Sequence, residues 1–419
     1  MERDAGSGSA SPGPTCSGCL DAFVVALNAT CDGKSWYTST KELQLASLEF
    51  CMACRNYRTL HLKVDEHIPR RLLATTDALP PHPKRLCWTR VPLLRARSVT
   101  WNMPTAAEMR KPVFAMTEVD RMEFGNTFEG SFEAVAWPPR LKLIKFGFWS
   151  RFNQPIAGVV LPSSLKQLHL GASFNQPIEN VVWPPFLDEL TFGQDFNQPI
   201  EQAKFPASLT HLIFDGSSFF DQPIEQVAWP TSLRQLTFGV GFNQPIERAI
   251  FAASLQRLTF GQQFDQPIER AVWPDSLQRL VFGENFNQPV DTVRWPALLQ
   301  ELTFGTCEDQ EDGRMVMRSE FNQHLGSSRW PASLRRLTVG GTFRQSLQGL
   351  GTWMPNLEVL RALDWEDDGW GHPSHGDSLL REILWPNGLR ELTVFKKSSL
   401  DGVVIPSTVQ VYRPDLEVV

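Results

Sequence analysis

The 419-residue chain lacks the features that identify several broad classes of protein. It contains no run of about 20 apolar residues, so the sequence predicts no membrane-spanning helix and no membrane partner. Its formal net charge of −6, without a basic stripe, argues against a nucleic-acid partner. Residues 1–14 are rich in Ser, Gly and Pro and lack the apolar segment of a secretory signal, so we expect a disordered tail there.

Cysteine is scarce: there are seven, and none recurs at the period described below. This usage predicts reduced thiols and a cytoplasmic or nuclear location. Two Cys-x-x-Cys pairs leave open a tetrahedral zinc site, with ligands drawn from Cys16, Cys19, Cys31, Cys51, Cys54 and His61. The pairs are far apart for a compact zinc finger, and Cys51 lies in an apolar run where cysteine packs as a small hydrophobe. We therefore expect no bound metal.

Catalytic patterns are also missing, since no phosphate-binding glycine loop and no repeated acid–base pair occurs. The one cluster from which a reactive or metal-binding set can be drawn comprises His372, His375, Asp377 and Ser378. It lies in a segment rich in Gly and Pro, whereas a catalytic set must be held rigidly by its surroundings. We predict that the protein is not an enzyme and has no catalytic residues and no cofactor.

What the sequence does contain is a repeat built on Phe-Asn-Gln-Pro-Ile, with Asp replacing Asn in two copies. The copies follow one another every 22 residues, with one interval of 24, and begin at Phe152, Phe174, Phe196, Phe220, Phe242, Phe264 and Phe286. A fixed period in the twenties predicts a solenoid, because units of this size cannot bury a core alone and must stack.

Each unit combines a short strand with an extended return. In one clear copy, Leu187-x-x-Leu190-x-Phe192 ends in the period-two alternation of a half-buried strand. Two prolines, Pro177 and Pro184, disfavour helix in the remainder of the unit. Stacking then predicts one apolar column of Trp137, Trp183, Trp229, Trp273, Trp295 and Trp330, with Leu161, Phe205 and Phe251 between them, and a second column formed by the first Phe of each copy.

The Asn or Asp after that Phe is expected to stabilise the local turn by bonding nearby backbone N–H groups. The following Gln is expected to hydrogen-bond along its column. We interpret both as scaffold positions. Two insertions, residues 306–320 and 364–378, are acidic and are expected to project as loops.

The combination of Leu-x-x-Leu-x-Phe with Phe-Asn-Gln-Pro-Ile resembles the FNIP repeat, a variant of the leucine-rich repeat, over residues 116–347. Most units have Trp-Pro where that family usually has Leu-Pro, which is retained only at Leu161-Pro162. The resemblance implies a mainly β, right-handed, leucine-rich-repeat-like solenoid with a curved parallel sheet, used for protein binding and often preceded by an F-box. Degenerate repeats are expected over residues 63–115, and degenerate repeats with a C-terminal cap over residues 348–419.

Residues 15–62 lack the repeat and are predicted to form a small helical module. Its segment from Ala53 to Leu60 resembles the last helix of an F-box, although the first half of an F-box is not recognisable. This resemblance implies a Skp-type adaptor that binds Leu48, Cys54, Tyr57 and Leu60. A plain helical cap on the solenoid is the alternative.

The non-apolar strand positions are predicted to form a recognition surface on the concave side of the sheet. A first row varies in charge from unit to unit and comprises Gln167, Glu189, His211, Gln235, Arg257, Arg279, Glu301 and Arg336. An ordinary solvated face is the alternative interpretation. These observations predict an intracellular protein-binding solenoid, acting as the substrate-recognition subunit of a cullin-type ubiquitin ligase. An interaction scaffold without a ubiquitin link is the second hypothesis.

Overall fold

The computed structural model describes residues 60–64, 96–101, 119–133, 135–309, 315–326, 328–364, 380, 382–394 and 403–412. The predicted tail, nearly all of the 15–62 module and the segment 365–379 lie outside these ranges. Leu48, Cys54 and Tyr57, the cysteine pairs, and His372, His375, Asp377 and Ser378 are therefore not part of the described structure. Within the described residues, no helix is long and apolar enough to cross a membrane.

The fold is a single 15-stranded parallel sheet in which strands follow one another in chain order. Its strands are β1 (Leu60–Val64), β2 (Ala96–Trp101), β3 (Arg121–Phe124), β4 (Leu143–Phe146), β5 (Gln167–His169), β6 (Glu189–Phe192), β7 (His211–Phe214), β8 (Gln235–Thr237), β9 (Arg257–Thr259), β10 (Arg279–Phe282), β11 (Glu301–Phe304), β14 (Arg336–Gly341), β15 (Val359–Asp364), β16 (Glu391–Val394) and β17 (Gln410–Tyr412). One helical turn, α1 (Leu350–Trp353), follows β14. The predicted parallel β-solenoid is confirmed.

The insertion after β11 differs from the expected loop. Its described parts form a two-stranded antiparallel ladder of β12 (Thr306–Asp309) and β13 (Met315–Arg318), in which Thr306 pairs with Arg318. Each of the two strands contains a β-branched residue, Thr306 in β12 and Val316 in β13, and such residues favour strands. The chain thus leaves the solenoid as a β-hairpin and returns to it at β14.

Leu60 also departs from its prediction, because it is the first residue of β1 and not the end of a helix. The sequence Leu-His-Leu-Lys-Val places apolar residues at alternate positions, which favours a strand. β1 pairs in parallel with β2, and β2 pairs with β3. The β-ladder therefore begins upstream of the regular repeats.

The core consists of side chains in register from one unit to the next. Leu190 of β6 is opposite Leu212 of β7, and both are fully buried. The first Phe of each copy stacks on its neighbour as predicted: the ring centroids of Phe152 and Phe174 lie 6.0 Å apart with planes 8° from parallel. Phe192 also stacks at 3.9 Å on Phe196, the first residue of the next copy. Two linked aromatic columns therefore run through the solenoid.

The tryptophan column is less uniform than expected. Trp183, Trp273 and Trp295 are buried, whereas Trp137, Trp229 and Trp330 are only partly buried against the core. Neighbouring positions of the column stack on each other, as Phe251 does on Trp273 at 6.2 Å. The indole Nε1 of Trp273 is buried and has no hydrogen-bond partner among the described residues. Trp273 therefore contributes apolar packing, whereas Trp330 Nε1 also donates a hydrogen bond of 2.9 Å to Leu325 O.

The Asn and Asp positions connect successive units, which corrects the predicted role in a local turn. Asn153 Oδ1 accepts hydrogen bonds from the backbone N–H of Asn175 and from Gln176 Nε2, both at 2.9 Å. The same pair of bonds recurs in every unit up to Asn322, which accepts from Arg344 N and Gln345 Nε2. The glutamines therefore bond to the amide or carboxylate of the preceding unit. The series stops there because the Arg344 side chain has no acceptor.

A second repeated bond uses the serine of the Ser-Leu pair. Each hydroxyl donates to the carbonyl oxygen of the core leucine in the preceding unit, at 2.6–2.8 Å, and the donors are Ser164, Ser208, Ser232, Ser254, Ser276 and Ser333. Backbones also approach closely after several strands: a Cβ on Gly193 would lie 2.3 Å from Gly171 O. Successive units are thus joined by core packing, by the hydrogen bonds to Asn or Asp, and by the serine hydrogen bonds.

Candidate protein-binding surface

The strand alternation sends two rows of side chains away from the core. In β6, Leu190 and Phe192 are fully buried, whereas Glu189 and Thr191 are partly exposed on the opposite side of the sheet. We call this side, which the sequence analysis predicts to be concave, the open face. It is defined by the outward residues of β5–β11 and β14.

The eight residues of the predicted first row lie next to one another in strand register. The register runs from Gln167 to Glu189 and on through His211, Gln235, Arg257, Arg279, Glu301 and Arg336 without interruption. Arg257, Arg279 and Arg336 are exposed, and the other five are half-buried. A ligand that crosses the strands would meet all eight in this order.

The second row is less polar and less variable. It consists of His169, Thr191, Ile213, Thr237, Thr259, Val281, Thr303 and Thr338 in the same register. Thr303 and Thr338 are buried, whereas the others are half-buried. The exposed charged and hydrogen-bonding groups of the open face therefore come mainly from the first row.

The β5–β7 part of the open face contains acidic and imidazole groups that bond to each other. Glu189 accepts a hydrogen bond from Gln167 Nε2 at 2.9 Å, and its other oxygen lies 3.2 Å from His169 Nε2. The latter contact is close but lacks the alignment of a hydrogen bond. Burial lowers the pKa of His169, and the positive charge of Lys145 acts in the same direction, against the opposing effect of Glu189.

A second polar cluster lies at the start of β7. Thr210 Oγ1 contacts both Asp188 Oδ1 and His211 Nδ1. Because a carboxylate only accepts hydrogen bonds, the threonine hydroxyl donates to Asp188 and the imidazole Nδ1–H donates to the hydroxyl. These contacts hold the three side chains in place beside the open face.

The β8–β10 part of the open face is basic. Gln235, Arg257 and Arg279 are register neighbours, and Arg279 Nη2 lies 3.6 Å from Glu301 Oε1. Arg234, immediately before β8, is also exposed. The predicted row omitted Arg234 because that position falls outside the strand alternation. Arg234 could have been recognised from the sequence as a charged residue directly before the first outward residue of a strand.

The return segments carry the opposite charge at one position of six successive units. The acidic residues at this position, Glu179, Glu201, Glu225, Glu247, Glu269 and Asp291, belong to the six units from Phe174 onward and are exposed or half-exposed. Close to them stands an interrupted row of exposed apolar residues, 68–85% accessible, formed by Val160, Val182, Ile250 and Val272. The alternating polar and apolar character of the return segments contrasts with the polar open face.

Comparison with known proteins supports this architecture. The family model described as FNIP Repeat matches residues 152–195, 196–241, 242–280 and 264–307. CroV588, described as a novel circular LRR protein, is similar in structure, with a TM-score of 0.57 and 28% sequence identity over 78% of this chain and 47% of that chain. The present chain thus spans about half of that protein's length.

An internalin, inlF from Listeria monocytogenes, also matches, with a TM-score of 0.44 and 14% identity over 71% of this chain and 80% of that chain. No curated protein sequence matches the chain. The FNIP matches adjoin or overlap from residue 152 to residue 307 and coincide with the regular units of the sheet. Residues 152–307 therefore consist of FNIP repeats within a leucine-rich-repeat-like parallel β-solenoid.

Proposed function

We propose that the protein binds a protein partner through the open face of the solenoid. The observation that carries this proposal is the contrast between two positions one residue apart in the same strands. The buried leucine of each regular strand does not change, from Leu168 to Leu337. The outward residue before it changes among Gln, Glu, His and Arg. A fixed scaffold with variable outward chemistry is suited to recognition of one particular partner.

The inter-unit hydrogen bonds support this function physically. Each unit is held to its neighbours by backbone, asparagine and serine bonds, so the outward side chains stand on a preformed surface. Binding to a preformed surface costs little ordering of the protein, which leaves more of the contact energy for affinity. An extended row of register neighbours also provides a surface long enough for several side chains of a partner.

Affinity capture followed by mass spectrometry tests the proposal. The full chain is compared with a variant that combines His211→Ala and Gln235→Ala, and with Arg257→Glu combined with Arg279→Glu. The control, Arg248→Glu with Arg270→Glu, changes two exposed arginines on the return segments. We expect a captured protein to be lost with open-face variants and retained with the control, while all variants melt at similar temperatures. Retention by every open-face variant would refute the proposal.

We further propose that this partner is a ubiquitylation substrate and that the protein is the substrate-recognition subunit of a cullin-type ubiquitin ligase. The support is the resemblance of residues 53–59 to part of the last helix of an F-box, with Leu48, Cys54 and Tyr57 as the adaptor-binding residues. The ligase function joins adaptor binding near the N-terminus to substrate binding on the open face. An interaction scaffold without a ubiquitin link would bind a partner on the open face but would not bind the adaptor.

Co-purification of the full chain with a Skp-type adaptor separates these two functions. The ligase function predicts a complex that Tyr57→Ala weakens and that Tyr37→Ala, a matched change outside the F-box-like segment, leaves intact. Absence of adaptor binding in the unaltered protein would remove the ligase function and favour the scaffold.

A further inference from the structure

We propose that β8–β10 form a binding site for an acidic polypeptide segment, an inference that rests on the open face being the partner-binding surface. The site is centred on three exposed arginines, Arg234, Arg257 and Arg279, which we call the arginine patch. Arg257 and Arg279 are register neighbours on adjacent strands, and Arg234 precedes the neighbour of Arg257 on the other side. The three arginines therefore come from three consecutive units of the sheet, two within their strands and one directly before its strand.

The charge of this site is opposite to that of the chain. The three strand segments are Arg-Gln-Leu-Thr at 234–237, Gln-Arg-Leu-Thr at 256–259 and Gln-Arg-Leu-Val at 278–281, and they contain no acidic residue. The whole chain carries a net charge of −6. A local concentration of one sign on a protein of the other sign steers an oppositely charged ligand to that place.

The acidic residues that border the arginine patch do not prevent its arginines from binding a partner. On one side Glu301 contacts Arg279 at 3.6 Å, with half of the arginine side chain still exposed. Exposed pairs of this kind contribute only about 0–1 kcal/mol, so a carboxylate of a partner can compete. On the other side, Glu189 is the first residue of β6 and Asp188 directly precedes it, so both are separated from β8 by β7. Asp188 already accepts a hydrogen bond from Thr210.

The neighbouring side chains suit a peptide backbone. Gln235, Gln256 and Gln278 supply amide donors and acceptors around the arginines, and Thr237 and Thr259 supply hydroxyls in the second row. Arginine binds carboxylates in a planar two-bond geometry that lysine does not offer. The patch extends over two strand intervals, or about 10 Å, and an extended peptide covers this distance in about three residues. We infer a segment with carboxylates about three residues apart.

The same surface is poorly suited to a nucleic acid. The outward positions of β8–β10 are Gln, Arg, Thr and Val, so no aromatic ring is present there for bases to stack on. The acidic group of β6, Glu189, would lie under any strand continuing along the sheet. An acidic polypeptide is therefore the ligand that the open face favours.

Fluorescence anisotropy with the full chain tests this inference. The probe is a fluorescein-labelled peptide with Glu at every third position, and the control peptide has Gln in place of each Glu. We expect the Glu peptide to bind, the Gln peptide not to bind, and the affinity to fall as salt increases. Arg257→Gln combined with Arg279→Gln should weaken binding by about tenfold or more, as expected for loss of charge-assisted contacts.

The matched control is Arg248→Gln combined with Arg270→Gln, which removes the same charge from the return segments. This variant should bind the Glu peptide within about twofold of the unaltered protein, because exposed charges farther apart than a Debye length are largely screened. Equal weakening by both pairs would show non-specific attraction and overturn the proposal. It would also be overturned by equal binding of the two peptides, or by binding of a single-stranded RNA oligonucleotide without binding of the Glu peptide.

Failure of this inference can be distinguished from failure of the proposed function. If the captured partner depends on His211 and Gln235 but is indifferent to Arg257→Gln with Arg279→Gln, the open face binds protein but not through an acidic segment. If no open-face substitution affects capture, both proposals fail. Thermal melting of each variant establishes that a loss of binding is not a loss of fold.

Discussion

Asn175 Oδ1 accepts a hydrogen bond of 3.0 Å from the backbone N–H of Asn197, the equivalent residue of the next unit. The same oxygen also accepts from Gln198 Nε2 at 3.0 Å. One side-chain atom thus satisfies two donors of a neighbouring unit. This relationship gives the Asn or Asp position a role that can be separated experimentally from turn formation.

We expect Asn175→Ala to lower the free energy of unfolding by about 1–3 kcal/mol, because two partly buried donors lose their acceptor. Asn175→Asp should be nearly neutral, since Asp221 Oδ1 accepts the two equivalent bonds from Asn243 N and Gln244 Nε2 of the unit that follows it. Urea unfolding midpoints of the two variants provide the measurement. If Asp proves as damaging as Ala, the acceptor oxygen is not what this position contributes.

Trp273→Ala should destabilise the protein by about 3–5 kcal/mol, through loss of buried aromatic packing and the cavity that remains. The cost of Trp229→Ala should be smaller, because Trp229 is only partly buried. Trp273→Phe is the conservative control: Phe251 fills the same position in the preceding unit, and Trp273 Nε1 makes no hydrogen bond with the described residues. Equal losses for Ala and Phe in urea unfolding would contradict a packing role.

Gly193→Ala should destabilise the protein by roughly 1–3 kcal/mol, the usual cost of overpacking. The new Cβ would lie 2.3 Å from Gly171 O, a backbone atom that cannot rotate away. Gly216→Ala is the matched control, since a Cβ there meets no atom within 4 Å. Thermal melting compares the two, and a comparable shift for both would show that the close approach at Gly193 is not limiting.

Stability is expected to fall in mild acid through His169. Its pKa in the folded protein is below the ordinary value of 6.5, chiefly because burial disfavours the charged ring. The unfolded chain therefore binds a proton more readily, so stability is lost as the pH falls through and below about 6.5. Urea midpoints above and below this pH should separate further for the unaltered protein than for His169→Gln. An identical pH dependence in both proteins would exclude His169 as the cause.

The strands could be predicted from the sequence because the apolar alternation that indicates them lies within each short segment. Leu190 and Phe192 alternate with outward residues at period two, and the fixed interval between copies determines which residues become neighbours. The eight-residue outward row follows from the same two facts. Its register could therefore be predicted before its bonds were known.

Other features depend on contacts that local pattern does not encode. The bonds of Asn175 join it to residues of the next unit, and a turn interpretation fits the same local sequence equally well. Arg234 directly precedes the outward row, where Arg234 N and Gln235 N both donate to Thr210 O, and the strand alternation does not predict the exposure of its side chain. The uneven burial of Trp229 and Trp273 reflects the fit of each ring against its neighbours, which residue type alone does not determine.

The hydrogen bonds between units also have a direction, since each Asn or Asp serves the unit that follows it. Excision of residues 175–196 would join Phe174 to Asn197 and present Asn153 with the same donors that it now holds. The scaffold can thus gain or lose whole units by duplication or deletion without new chemistry at the junction. Evolution can in this way adjust the length of the surface separately from the residues displayed on it.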